Sequence, residues 1–381
     1  MRIGIDYTAA VRQGGGIGRY TRNLIRALAK LDSAEQASEN QYALFVAGGW
    51  GEGDGLGPWP QNFGIRPAPL SDRWMTILWQ RLRLPLPIQL FTGPLDLFHS
   101  PDFVLPPVGR TPAILTVHDL SFLRVPEHFV PGFCEYLTGA VSRAVGRADH
   151  ILADSESTRR DLVELLAVDP DRVTVIYPGV EPRFRPIEEV PLLEQVRARY
   201  RLPERFILGL GTLQPRKNFD GLIRAFARLP AAEDLHLVIA GGKGWMYEET
   251  LALPARLGLE GRVHFPGFVD DTDLPALYNV ASVFAFPSWY EGFGLPVLEA
   301  MACGTPVVAA DNSSLPEAVG DAGLMIEAGD AEALADSLVR LMREKHLRER
   351  LAAAGIEWAQ RFTWEAAARQ LASVYRVPGF A

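Results

Sequence analysis

The chain has 381 residues, 48% of them hydrophobic and 22% charged, with 38 basic against 46 acidic side chains and a net charge of −8. This composition excludes a disordered chain and argues against nonspecific nucleic-acid binding, which draws on a basic excess. Cys134 and Cys303 are too few for a disulfide framework or a zinc cluster, and no apolar run reaches the roughly 18 residues that span a bilayer.

The length predicts two domains. The start, Met1 to Asp6, turns polar at once and holds no signal-peptide core. The expectation is a cytoplasmic protein, with room for peripheral contact at the inner face of the plasma membrane.

Short apolar runs alternate with helical periodicity, the rhythm of βαβ units and parallel sheets. Arg2–Asp6 reads as a strand. Gly14, Gly15, Gly16 and Gly18 follow, and then Ile17, Tyr20, Leu24, Leu28 and Leu31 recur at helical spacing. The glycines fail the dinucleotide fingerprint because Arg19 stands where its last glycine would be. The loop still opens a helix whose amides can approach a phosphate or an acceptor, with Arg19 and Arg22 beside it.

Arg73 to Leu84 mixes two tryptophans with arginines and reads as a core helix with snorkelling cations, an interfacial helix being the alternative. Strands follow at Ala113–His118, Ile151–Asp154 and Val173–Tyr177. A Pro-rich stretch, with Pro178, Pro182, Pro186 and Pro191, marks a boundary. This predicts a domain over 1–180, a linker over 181–203, a second domain over 204–360, and a C-terminal helix in 361–381 packing back on the first domain.

The pattern restarts with the strand Phe206–Gly211, and Arg216 and Lys217 come just after it, ahead of a helix from Asn218. Two cations at a helix start oppose its dipole, a conflict that a bound diphosphate would remove. Further strands are expected at Leu235–Ala240, Arg262–Phe265, Val283–Phe286 and Pro306–Ala309. The run Asp270, Asp271, Thr272, Asp273 reads as a helix start with Pro275 just inside, not as a metal site.

After Val283–Phe286, Glu291 and Glu299 flank Gly292, Phe293, Gly294 and Leu295. Glycines at a helix N-terminus leave amides open to anions or hydroxyls, and the two carboxylates can hold a sugar hydroxyl and a ribose diol. The stretch from Ala331 to Arg376 is helical. Ligands of open α/β sheets bind beyond the carboxyl ends of the strands, and the unusual clusters all fall in those loops.

The run from Ser288 to Val308 closely resembles the signature of retaining glycosyltransferase family 4. Gly211 to Asn218 resembles the family's phosphate loop, Thr116 to Asp119 its His-bearing strand end, and Gly14 to Gly18 its N-terminal glycine loop. The resemblance implies a GT-B architecture, an α/β fold of two Rossmann-like doubly wound domains facing a central cleft. It implies a metal-independent enzyme without cofactor that transfers a hexose from a nucleoside diphosphate sugar to a glycan or lipid-linked acceptor. Mannose from GDP-mannose is the expected donor, in cell-envelope polysaccharide synthesis.

It also gives His118, Glu291, Arg216 and Lys217 catalytic roles, with His118 positioning the sugar or stabilising the transition state and not acting as a base. Glu299, Gly292, Phe293, Gly294, Leu295, Gly211 and Phe268 would hold the donor. Gly14, Gly15, Gly16 and Arg19 would face the acceptor or a phosphate. The chain departs from the family at Thr212, where many members carry a basic residue. A UDP-sugar transferase, a nucleotide-sugar epimerase or phosphorylase, and a noncatalytic nucleotide-sugar-binding protein remain as alternatives.

Overall fold

The computed structural model describes residues 1–34, 40–48, 58–230 and 234–377. The chain forms two compact units. Met1–Leu120, Glu135–Gly179 and Thr363–Ala381 make the first, and Ser121–Cys134 with Val180–Phe362 make the second.

The first unit is built on β1 (Arg2–Asp6), β2 (Gln41–Ala47), β3 (Phe63–Ala68), β4 (Leu97–Ser100), β5 (Ala113–Val117), β6 (His150–Ala153) and β7 (Val173–Val175). They pair in parallel in the order β3-β2-β1-β4-β5-β6-β7. Central strands such as Ala113–Val117 are buried on both faces, which is why they run apolar without alternation. The Gly16–Ala34 helix turns Tyr20, Leu24, Ile25 and Leu28 inward.

The C-terminal Trp364–Tyr375 helix lies on the Gly16–Ala34 helix and puts Trp364, Leu371 and Tyr375 into the same core. Residues 378–381 of the segment assigned to that helix lie outside the described residues.

The second unit repeats the plan with β8 (Arg205–Leu210), β9 (Leu235–Ala240), β10 (Val263–Gly267), β11 (Val283–Phe286), β12 (Val307–Ala310) and β13 (Leu324–Ile326). All pairs are parallel, in the order β10-β9-β8-β11-β12-β13. In each sheet the winding reverses at one place, between β1 and β4 and between β8 and β11. Such switch points open a crevice at the carboxyl ends of the strands.

Three expectations change. The 181–203 segment is not a linker, because it carries the Val190–Tyr200 helix and belongs to the second unit. Pro191 sits in that helix's first turn, where a missing N–H costs no hydrogen bond. Residues Ser121–Cys134 leave the first domain for the second unit, because their aromatics find partners there. The Trp245 indole donates to the His128 carbonyl at 2.8 Å, Phe129 and Phe133 pack on Trp245, and the His128 ring stacks on Trp289.

Third, Arg73 to Leu84 is not a core helix. A short Asp72–Thr76 helix widens into a π turn over Ile77–Arg81, and of its side chains only Met75 is buried. Trp74 is 56% exposed and Leu82 60%. Among the described residues no helix is long and apolar enough to cross a membrane.

Candidate functional site

In the second unit the two loops flanking the switch point bring together residues far apart in sequence. β8 ends at Leu210, and Gly211 turns away with φ +148°. Gly241, after β9, must be glycine. A Cβ there would sit 1.9 Å from the Gly211 carbonyl oxygen, and its own φ is +146°. This close approach lets the Leu213 N–H donate to Gly242 and fixes the path to Pro215–Lys217. Asn218 then caps the Phe219–Ala227 helix from a left-handed backbone, and its amide donates to the Pro287 carbonyl at 3.0 Å. That bond ties the loop after β8 to the end of β11.

Beyond β11, Glu291 receives both cations. Lys217 Nζ lies 2.7 Å from Oε1 and Arg216 Nη1 3.0 Å from Oε2. All three side chains are largely buried. Arg216 also donates to the Tyr290 carbonyl, and Lys217 lies over the Phe286 ring. Burial alone would raise the Glu291 carboxyl, but the Arg216 and Lys217 charges outweigh it and hold the group down at about 2. Its backbone is pinned as well, because Glu291 N–H donates to the Ser313 hydroxyl and the Ser314 hydroxyl donates to the Glu291 carbonyl. Two cations against one carboxylate leave a net positive charge at a strand end.

Gly294, with φ +109°, starts the Leu295–Ala302 helix. The Phe293 ring packs against Phe362 in the core, so its contribution to a ligand is its amide. Glu299, in the middle of that helix, is buried and accepts from the Tyr278 hydroxyl at 3.0 Å. Gly211, Gly292, Phe293, Gly294, Leu295, Glu299, Arg216, Lys217 and Glu291 thus belong to one unit and to the loops and helix beyond β8 and β11. Phe268 follows the edge strand β10 and is 63% exposed.

Asp270 and Asp273 pair with Arg199 at 2.5 and 2.7 Å, and the Tyr200 hydroxyl donates to Asp273. Asp273 does occupy the helix start, but its carboxylate is turned to Arg199 instead of capping the helix.

The first unit holds His118, Gly14, Gly15, Gly16 and Arg19. His118 is the first residue beyond the β5 ladder. Its Nδ1–H donates to Asp154 Oδ2 at 2.7 Å and its Nε2–H to the Pro101 carbonyl at 3.1 Å. Burial opposes charge on the ring, yet the Asp154 carboxylate outweighs it and Asp102 adds to the effect, raising the ring to about 9. Burial acts upward on the Asp154 carboxyl too, with His118 opposing. The pair is an imidazolium with a carboxylate, since a ring that donates through both nitrogens must be a cation. Both ring N–H groups of His118 are thus taken within the unit, and the ring is a positive charge at the end of β5.

Tyr20 packs its ring edge-on to His118 at 4.8 Å, which ties the helix of the glycine loop to that residue. The glycine under steric constraint in that loop is Gly18, whose Cβ would meet the Gln13 carbonyl at 2.0 Å. Cβ atoms at Gly14, Gly15 and Gly16 would meet open space. Arg22 holds the Ala10 and Gln13 carbonyls and shapes the loop.

Sequence reasoning missed Asp154, Pro101 and Asp102. The signal for Asp154 was its place at the end of an apolar strand, the position that His118 also occupies. It missed as well a cavity of about 150 Å³ beyond β1 and β2, lined by Asp6, Arg12, Asp72 and Asp102. Burial raises the Asp6 carboxyl to about 6, against hydrogen bonds from Thr8.

A model of the group 1 glycosyl transferases matches residues 194–358, and one of glycosyltransferase family 4 matches residues 14–184. The chain is 31% identical over 377 residues to the O-antigen chain mannosyltransferase B of Escherichia coli, which covers 95% of this chain and 96% of that protein. It is 36% identical over 308 residues to the D-inositol 3-phosphate glycosyltransferase of Salinispora tropica, covering 74% and 64%.

Among solved structures, the sucrose-phosphate synthase of Thermosynechococcus elongatus superposes with a TM-score of 0.77 at 23% identity, over 99% of this chain and 98% of that one. Anabaena HepE in complex with UDP and glucose does so at 0.75 and 21%, over 98% and 99%. These two share the fold, GT-B.

Proposed function

The chain belongs to the group 1 glycosyltransferases, with its first half in glycosyltransferase family 4, and on that premise we propose that it moves mannose from GDP-mannose to a hydroxyl of a glycan or lipid-linked acceptor in cell-envelope polysaccharide synthesis. The observation that supports a nucleoside diphosphate sugar most directly is the buried Arg216–Glu291–Lys217 cluster at the switch point of the second unit. Its surplus positive charge suits a diphosphate, and the amides at the start of the Leu295–Ala302 helix add donors aimed outward. The identity to a mannosyltransferase along nearly the whole chain supports the sugar.

In this reading the sugar–phosphate C–O bond breaks and its electron pair leaves on the diphosphate. The acceptor oxygen bonds to the anomeric carbon from the same face, and its proton passes to the departing phosphate oxygen. Arg216 and Lys217 stabilise the charge that develops there, a contribution typically worth a few kcal/mol per preorganised donor. Glu291 holds both cations in place before the donor arrives and orients a sugar hydroxyl with its remaining lone pairs. Glu299 takes the ribose. His118, whose two ring N–H groups are held by Asp154 and the Pro101 carbonyl, supplies a fixed positive charge in the first unit. None of these steps calls for a metal or an organic cofactor.

UDP-sugar transfer is the second reading, favoured by the neighbour solved with UDP and glucose. A panel of GDP-, UDP- and ADP-sugars, with and without chelator, tests both by thermal shift and nucleotide release. GDP-mannose alone stabilising the chain and releasing GDP regardless of chelator is the expected result. A response to UDP-sugars only replaces the donor, and no response to any donor refutes the transferase reading.

A further inference from the structure

The Ser121–Cys134 segment of the second unit brings a titratable side chain to the donor cluster, one that the steps above do not use. Its turn Pro126–His128 ends in His128, whose ring stacks on Trp289 with centroids 5.7 Å apart and planes 18° apart. The Trp289 N–H in turn donates to the Arg216 carbonyl at 2.8 Å. The indole also lies so near Gly329 that a Cβ there would meet it at 2.4 Å. The His128 carbonyl accepts from the Trp245 indole at 2.8 Å. Trp245 and Trp289 stand in the loops after β9 and β11, so His128 is held from two sides at the strand ends that carry Arg216 and Glu291.

Fixed in this way, the partly buried ring still makes no hydrogen bond among the described residues. The Glu127 carboxylate approaches its Nε2 only to 3.8 Å, beyond hydrogen-bond length. An imidazole held in place with its nitrogens left open is a donor awaiting an acceptor. Burial holds the ring below its ordinary 6.5, Glu127 opposes, and the Arg216 charge adds to the lowering. The other charged groups of these loops are engaged elsewhere. Lys217 and Glu291 pair with each other, and Lys243 lies over the Tyr247 ring. The surplus positive charge of the cluster therefore favours a neutral ring. A nucleotide-sugar diphosphate, with a negative charge on each phosphate, turns that surplus into a deficit and favours the cation instead.

We propose that His128 is a donor-binding residue: when the diphosphate of a nucleotide sugar settles on Arg216 and Lys217, the ring takes up a proton from solvent and donates a hydrogen bond to a phosphate oxygen. The proton returns to solvent when the nucleotide leaves. A ring that is neutral beforehand adds no repulsion to Arg216 and Lys217, and a ring that is charged afterwards adds a third cation to the leaving group. The inference rests on the nucleoside diphosphate sugar reading above and holds whichever base and sugar the donor carries.

The test is isothermal titration calorimetry of the full chain with GDP-mannose, UDP-glucose and ADP-glucose, in buffers of different protonation enthalpy. The phosphates of these donors do not titrate between pH 6 and 8, so proton uptake reports on the protein. Uptake is expected with the donor that binds. Because the bound ring holds its proton more tightly, affinity should rise as pH falls, about fivefold from pH 8 to pH 6. His128→Phe keeps the stack on Trp289 without an ionisable nitrogen. It should keep the parent's melting temperature, abolish the uptake and flatten the affinity profile, whereas a merely structural ring would let phenylalanine bind donor as the parent does. NMR titration of the His128 ring in the parent, with and without donor, reads the same proton without a substitution, and its midpoint should rise. A ring unmoved by donor, or uptake that survives in His128→Phe, would overturn this assignment while leaving the transferase reading intact. Binding of none of the three donors would refute that reading, and this proposal with it.

Discussion

Replacing Asp154 by Asn removes the charge beside His118 while keeping a side chain of the same shape. In the parent the ring is raised from its ordinary 6.5 to about 9. At about 1.4 kcal/mol per unit, the surroundings favour the cation by on the order of 3 kcal/mol. Because the folded value is the higher one, this stabilisation is fully present below pH 6.5 and is lost as pH rises through about 9.

In the Asn variant the burial remains and the opposing carboxylate is gone, so the ring should titrate at or below its ordinary value. At pH 8 the cationic fraction then drops by about thirtyfold. If the transfer step needs the imidazolium, turnover at pH 8 should fall by a similar factor and recover toward pH 6. The parent should be flat over that range as far as His118 is concerned. NMR titration of the ring follows the same proton without an acceptor. A ring that still titrates near 9 in the variant, or two superimposable pH–rate profiles, would refute the assignment of His118 as a fixed cation.

Glu291 carries the opposite sign. Its folded value of about 2 lies below its ordinary 4.5, so its contribution of about 3 kcal/mol is present above pH 4.5 and lost as pH falls toward 2. Acid unfolding of Glu291→Gln should accordingly be shallower than the parent's, and equal slopes would contradict the ion cluster. Gly241→Ala should cost about 3 kcal/mol or more in urea unfolding, since its Cβ meets the Gly211 carbonyl at 1.9 Å. Gly242→Ala, which points into open space, should stay within about 0.5 kcal/mol, and similar losses at both sites would undo the close-approach argument. Trp364→Ala should destabilise the first unit by about 3–5 kcal/mol in the same measurement, and a neutral result would mean that the C-terminal helix is not part of that core.

The strands that carry the site were legible because each buried run ends in a residue unlike itself: Asp6, His118, Asp154, Gly211. Strand-end logic then placed Arg216, Lys217 and Glu291 at one edge of one sheet. The strands Gln41–Ala47, Phe63–Ala68, Leu97–Ser100 and Leu324–Ile326 went unread. The last two are very short, and Phe63–Ala68 is an edge strand with Arg66 and Pro67 in it.

Pro191 suggested a loop when it was a helix start, because proline is disfavoured inside a helix and welcome in its first turn. The move of Ser121–Cys134 into the second unit could not be read locally. It depends on Trp245 and Trp289, more than a hundred positions on. The His118–Asp154 pair was half legible: both positions stood out, but their meeting depends on β5 and β6 being neighbours.

The Trp364–Tyr375 helix sets an order of events during synthesis. It completes the core begun by Ile3 and Ile5, so that core stays incomplete until nearly the last described residue has left the ribosome. At about 5–20 residues per second, β1 through β7 wait on the order of ten to forty seconds after the first unit's earlier segments are made. In that interval the inward face of the Gly16–Ala34 helix has no lid, and the whole second unit is made and can fold. A ribosome stalled in the last helix would therefore release a chain whose second unit is complete and whose first-unit core lacks Trp364, Leu371 and Tyr375, a form that chaperones and proteases would meet first in the first unit.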